Sequence, residues 1–128
     1  MIFVTILMIG CRCPLPRPDP DARLLAAIRE VESNSHDLAV NSKEQAYGAY
    51  QCRRGAWLDG GGMPIDWPQG AFVRRRVEIV MTIYWRRYGA VTDEQKARIW
   101  NGGPRGMHKK ATLAYWRKVQ EVMRERTD

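Results

Sequence analysis

Cysteine is scarce in this chain, with Cys11, Cys13 and Cys52 the only three in 128 residues. An odd count of this size excludes a disulfide framework, and with only two histidines no Cys/His cluster reaches zinc-ligand spacing. Stability must come from packing, and nothing in the composition calls for a metal or cofactor. Acidic residues are also in deficit. Asp and Glu number 14 against 21 Lys and Arg, a formal net charge of +7, which points to an anionic partner such as nucleic acid, an anionic membrane surface or an acidic wall polymer. Long hydrophobic runs are missing as well. The strongly apolar stretch at residues 1 to 10 is too short to span a bilayer as a helix and lacks the positive start of a complete secretory signal.

What is present organises the chain into a leader and one domain. "LMIGC" looks like a loose bacterial lipoprotein box with Cys11 as the residue to be lipidated, and "PLPRPDP" places four prolines in seven residues, an extended spacer. The expectation is therefore an apolar segment and spacer over 1–18 and a domain over 19–128. The protein is expected to be secreted or periplasmic, with membrane attachment through Cys11 if the box is used. At this length, with 45% hydrophobic residues, one compact monomeric domain fits and a second does not.

Within the domain, Asp19 with Pro20 in the first turn opens a helix whose Leu24, Leu25, Ile28 and Val31 recur at helical spacing. From Asn34 to Gly70 the pattern turns irregular, punctuated by Gly48, Gly55, Gly60 to Gly62, Pro64 and Pro68, and only "AYGAYQC" reads as a packed segment. Val73, Val77, Val80, Met81, Tyr84 and Tyr88 then predict a central helix stopping at Gly89, with Arg74, Arg75 and Arg76 in its first turns as a solvated or anion-binding face. Thr92 and Gln95 form a capping box for a short helix ending at "NGGP", and Thr112, Tyr115, Trp116, Val119, Val122 and Met123 line one side of a last helix. The predicted class is α+β, mainly helical, with a small irregular or β segment between the first and central helices.

Glu32 continues the edge of the first apolar stripe, seven residues after Leu25 and four after Ile28. A carboxyl at the margin of a buried face, followed by a Gly- and Tyr-rich segment able to form a facing wall, is what general acid catalysis requires. Burial disfavours the charged form, so the acid keeps a proton to donate near neutral pH.

The order "VESN" (31–34), "AYGAYQ" (46–51), "WLDGG" (57–61), "ARIWNGGPRG" (97–106) and "TLAYWRKV" (112–119) resembles the invertebrate-type, destabilase-like lysozymes, over residues 24 to about 120. Those run from an ES pair through GYFQI-like, W-I-D-C-G and H-N-G-G-P-x-G-C segments to T-x-G-Y-W. The resemblance implies the lysozyme-like fold and a peptidoglycan glycoside hydrolase cleaving the β-1,4 bond between N-acetylmuramic acid and N-acetylglucosamine. Glu32 takes the position of the general acid. Gly48, Tyr50 and Gln51, with Tyr47 beside them, match the segment lining the cleft opposite it, where the alternative for Tyr47 and Tyr50 is core packing. Asn101, Gly102 and Gly103 match the loop that approaches the sugar, and this loop can double as a helix cap. Asp59 matches a turn aspartate expected to accept backbone amides. Trp100 stands where the family has His, and Cys52, where it has Ile, is expected to be a buried apolar residue.

The missing half-cystines suggest a bacterial or phage relative. The second catalytic acid is also absent, because its position falls on Asn41, which cannot form a glycosyl ester. Three readings stay open: Asp37 or Glu44 takes the part, the enzyme works with Glu32 alone as lytic transglycosylases do, or catalysis is lost and wall binding kept. His36 and His108 are expected to be surface or hydrogen-bonding residues. No helix-turn-helix, zinc finger or RNA-binding motif supports a nucleic-acid partner, so none is expected, and nothing identifies residues for isopeptidase activity.

Overall fold

The computed structural model describes residue 10 and residues 12 to 126. Most of the apolar leader and Cys11, with its expected lipidation, lie outside the described residues. Among the described residues five α-helices carry the architecture: α1 (Ala22–Ser33), α2 (Arg54–Asp59), α3 (Arg74–Arg87), α4 (Asp93–Gly102) and α5 (Lys110–Glu125). Between α1 and α2 lies a two-stranded antiparallel hairpin, β1 (Val40–Asn41) with β2 (Ala46–Tyr47), in the register Val40 opposite Tyr47 and Asn41 opposite Ala46. The expected mainly helical α+β class is thus found.

Leu24, Leu25, Ala26, Ala27 and Ile28 are all buried, because α1 is packed against both α5 and α4. Each large member of this run contributes about 1.5–3 kcal/mol through burial. The helix begins two residues later than its proline suggests. Asp19 Oδ1 accepts the Asp21 N–H at 2.8 Å, so Pro20 lies in a turn before the first helical residue, and Asp21 pairs instead with Lys96 Nζ of α4 at 2.8 Å. At the other end Asn34 adopts the left-handed conformation and its N–H returns to Glu30 O at 2.9 Å, which terminates α1 just past Glu32.

The irregular stretch contains α2, whose Trp57 is buried and donates its indole N–H to Met63 O at 2.9 Å. Glycines make room for this ring. A Cβ at Gly62 would lie 2.3 Å, and one at Gly70 2.2 Å, from Trp57 ring atoms. The arginines opening α3 act as ties, with Arg74 Nε 2.9 Å from Asp37 and Arg76 3.4 Å from Asp66. Val77, Val80, Met81 and Tyr84 lie on the buried face of α3 as their spacing predicts, Trp85 joins them, and Val73 and Tyr88 fall at the helix caps, Val73 exposed. The capping box at Thr92 and Gln95 is present, and Trp85 donates its indole N–H to Lys96 O at 2.9 Å, fastening α4 to α3.

Candidate active site

The C-terminal end of α1, the hairpin, the start of α2 and the C-terminal end of α4 enclose a cleft of about 360 Å³. Its lining includes Glu32, Asn41, Glu44, Gln51, Arg53, Asp59, Tyr84, Trp100, Asn101 and Gly103. This volume is in the range of small-molecule sites. The two walls are fixed to one another through the backbone. Ser33 Oγ, one residue after the acid, donates to Ala49 O at 2.7 Å, and Trp100 Nε1 donates to Tyr50 O at 2.9 Å.

Glu32 is half-buried in this cleft, and its carboxyl pKa is pushed from 4.5 up to about 7. Burial is the largest cause. It is opposed by the Tyr115 hydroxyl and by the positive charge of Arg53. Tyr115, on α5, is 8% exposed. Its buried hydroxyl makes no hydrogen bond among the described residues, and it lies near enough to the Glu32 carboxyl for the two groups to influence each other. Burial and the neighbouring carboxylate push the Tyr115 phenol well above its ordinary range, so it is a donor at every physiological pH. A carboxyl that retains its proton near neutral pH and opens onto a cleft can act as a general acid.

The residues expected around Glu32 divide into two groups. Asn41, Gln51, Asn101 and Gly103 line the cleft with it. Gly103 adopts φ +83°, left-handed backbone that favours glycine, and a Cβ there would meet nothing within 4 Å, so the loop presents bare backbone to the opening. Tyr47, Gly48, Tyr50 and Gly102 are absent from the lining. Tyr50 is 0% exposed, its hydroxyl donating to Glu78 Oε2 at 2.9 Å and accepting from Arg29 at 3.2 Å, so of its two expected roles it takes the core one. Tyr47 packs edge-on against Trp67 and Phe72, with centroids 5.4 and 5.9 Å apart. Gly48 and Gly102 are close-packing positions, where a Cβ would press on Ala71 O and on the Thr112 methyl.

Of the carboxylates considered for a second role, Glu44 is in the cleft and Asp37 is not. Asp37 is held by Arg74 in a shallow depression beside His36 and Leu38. Asn41 lines the cleft, and its Oδ1 accepts the Glu44 N–H at 3.2 Å, which closes the hairpin turn. Asp59 also reaches the cleft, but its partner is the Tyr88 hydroxyl at 2.6 Å rather than backbone amides. Cys52 is fully buried and its thiol is pushed up to about 12 by that burial, as befits an inert packing residue. His36 and His108 are exposed and absent from the lining.

Tyr115, Arg53, Tyr84 and Trp100 carry no site signal in the sequence. Tyr115 lies in the "YW" of the last helix, but helical spacing assigns it to the core, and its facing Glu32 depends on how α5 crosses α1. In the sequence Trp100 stands out only as the replacement for a family histidine. In the structure its ring packs edge-on against Tyr84 at 5.7 Å while its N–H reaches Tyr50 O, so it forms part of the cleft floor.

No protein-family model matches the chain. It is 38% identical over 105 residues to lysozyme 1 of Crassostrea virginica, covering 75% of this chain and 56% of that protein. To a lysozyme of Meretrix lusoria it is 27% identical over 107 residues, covering 78% of this chain and 88% of that one. The chain thus spans little more than half the length of the oyster relative and most of the clam relative. Among solved structures it superposes on an inhibitor-bound Meretrix lusoria lysozyme with a TM-score of 0.71 and 27% identity, covering 79% of this chain and 88% of that chain. Tapes japonica lysozyme gives a TM-score of 0.71 at 25% identity, with 79% and 89% covered. In sequence and in fold the chain is a homologue of the invertebrate-type lysozymes.

Proposed function

We propose that the protein is a lysozyme that hydrolyses the β-1,4 bond between N-acetylmuramic acid and N-acetylglucosamine in peptidoglycan. The observation that carries this reading is Glu32, half-buried in a cleft with its pKa near 7. The named lysozymes to which the chain is similar support it. The Glu32 carboxyl donates its proton to the glycosidic oxygen, the bond from that oxygen to C1 breaks, and the departing sugar leaves as an alcohol. Water adds to the oxocarbenium-like C1, and the proton it releases returns to the Glu32 carboxylate. Asn41 and Gln51, on the facing hairpin side, are amide groups suited to orienting that water or the N-acetyl groups.

Asn41 is an amide where a nucleophilic carboxylate would stand, which favours a mechanism with one essential acid. Glu44 is the carboxylate positioned to contribute a second. The basic surface draws the enzyme to an anionic wall, an attraction that salt weakens. Such a substrate lies outside the cytoplasm, in keeping with the export expected from the leader.

The test is clearing of a peptidoglycan suspension by the purified protein beside Glu32→Gln, which keeps the shape and removes the proton donor. Lysis by the wild type releasing reducing ends, and its loss in the variant with folding intact, supports the reading. Full activity in the variant would rule out this residue, and 1,6-anhydromuramyl ends would mean that the muramyl 6-hydroxyl attacks in place of water.

A further inference from the structure

Among the described lining residues the cleft holds three carboxyl groups, Glu32, Glu44 and Asp59, and one cation, Arg53. A glycan bearing lactyl or peptide carboxylates is itself anionic, so entry past Glu44 and Asp59 is opposed unless a positive group receives it. Arg53 is placed to do so. It follows Cys52, whose backbone is bridged to Tyr47 by N–H···O bonds of 2.9 and 3.0 Å in the two directions, and it immediately precedes α2. The Cα is therefore fixed by the hairpin on one side and the helix on the other.

Its side chain is anchored at one point. Arg53 NH2 donates to Glu44 Oε2 at 2.8 Å, with the two side chains 54% and 50% exposed. Nε and NH1 make no hydrogen bond to the described residues, and the second hydrogen of NH2 can join one of them to form a planar two-donor fork at the cleft. Such a fork matches a carboxylate in shape and charge. A positive charge here also weakens Glu32 as a retained proton source. An arginine serving only the acid would oppose the chemistry, whereas one serving an anionic substrate offsets that effect by binding.

We propose that Arg53, oriented by Glu44, forms a carboxylate-binding subsite that selects acidic sugars over neutral ones in this cleft. The inference rests on the cleft being a glycan site, and it predicts preference for glycans containing muramic acid over uncharged N-acetylglucosamine polymers.

The experiment measures binding of two oligosaccharides of equal length by calorimetry, one of N-acetylglucosamine alone and one alternating with N-acetylmuramic acid bearing free lactyl carboxylates. The full chain is used in the Glu32→Gln background, so that no turnover occurs, with Arg53 native or changed to Gln or Lys. The expected result is a fall of about tenfold or more in affinity for the acidic oligomer in Arg53→Gln. The neutral oligomer should change much less, Arg53→Lys should recover part of the preference, and added salt should diminish it. An unchanged preference in Arg53→Gln, or an equal loss for both oligomers, would overturn the subsite. Cleavage assays of the protein with native Glu32 separate the two readings. Arg53-dependent preference without cleavage keeps the subsite and removes the hydrolase, cleavage without preference does the reverse, and no binding of either oligomer overturns both.

Discussion

Ser33 Oγ lies 2.7 Å from Ala49 O, so the residue after Glu32 carries the hydrogen bond that joins α1 to the opposite wall of the cleft. The same hydroxyl accepts the His36 N–H at 3.1 Å and shapes the turn leaving the helix. Glu and Ser therefore work as neighbours, one facing the opening and one holding it to width. Ser33→Ala should destabilise the fold by about 1–2 kcal/mol, through a partly buried carbonyl losing its donor. Activity should fall further than stability alone explains at temperatures where the variant is folded. Urea unfolding alongside a peptidoglycan-clearing assay checks both, and an unchanged variant would show the bond to be dispensable.

Tyr115 acts on the pH profile. Its hydroxyl favours the charged form of Glu32, so Tyr115→Phe should raise the Glu32 pKa and move the alkaline limb of the rate profile to higher pH. An unshifted limb would mean that the phenol does not interact with the acid.

The acid itself leaves a signature in stability. A carboxyl whose folded pKa is about 7 against an ordinary 4.5 holds its proton more tightly when folded. Stability then falls as pH rises from 4.5 through 7 and levels above that, a penalty of up to about 3 kcal/mol. Glu32→Gln should match the wild type below pH 4.5 and exceed it by up to that amount at pH 8. Denaturant unfolding at the two pH values decides, and parity at pH 8 would mean that Glu32 is not held protonated.

The hairpin supplies the test of a second acid. With one essential carboxyl, Glu44→Gln should lower the rate of peptidoglycan cleavage within about tenfold, whereas loss of a nucleophile or base costs on the order of a hundredfold or more. Asn41→Asp should keep the turn, since a carboxylate oxygen accepts the Glu44 N–H as the amide Oδ1 does, and it places a further acid in the cleft, so a rise in hydrolysis would mark this position as the slot for a second carboxyl. Steady-state rates of the two variants settle which position matters.

Much of this was legible from local pattern. The apolar spacing of α3, the capping box of α4 and the edge position of Glu32 are properties of single helices, and each is found where the sequence places it. What was less legible depends on how helices cross. Tyr50 and Tyr47 sit in a Gly-rich segment that can face either way, and only the carboxylate of Glu78 and the ring of Trp67 determine that they point inward. Tyr115 and Arg53 acquire meaning from a neighbour 83 and 21 residues earlier in the chain, a distance that no periodicity encodes. Helix α2 was hidden because its glycine-rich flanks, which make room for Trp57, read as loop.

The central claim is that the cleft keeps Glu32 protonated near neutral pH, and titration of the ¹³C-labelled carboxyl by NMR tests it most directly, with the Glu32→Gln spectrum assigning the resonance. The account predicts a midpoint near 7, shifting further up in Arg53→Gln as the opposing charge is removed. A midpoint near 4.5 that is indifferent to Arg53 would contradict it.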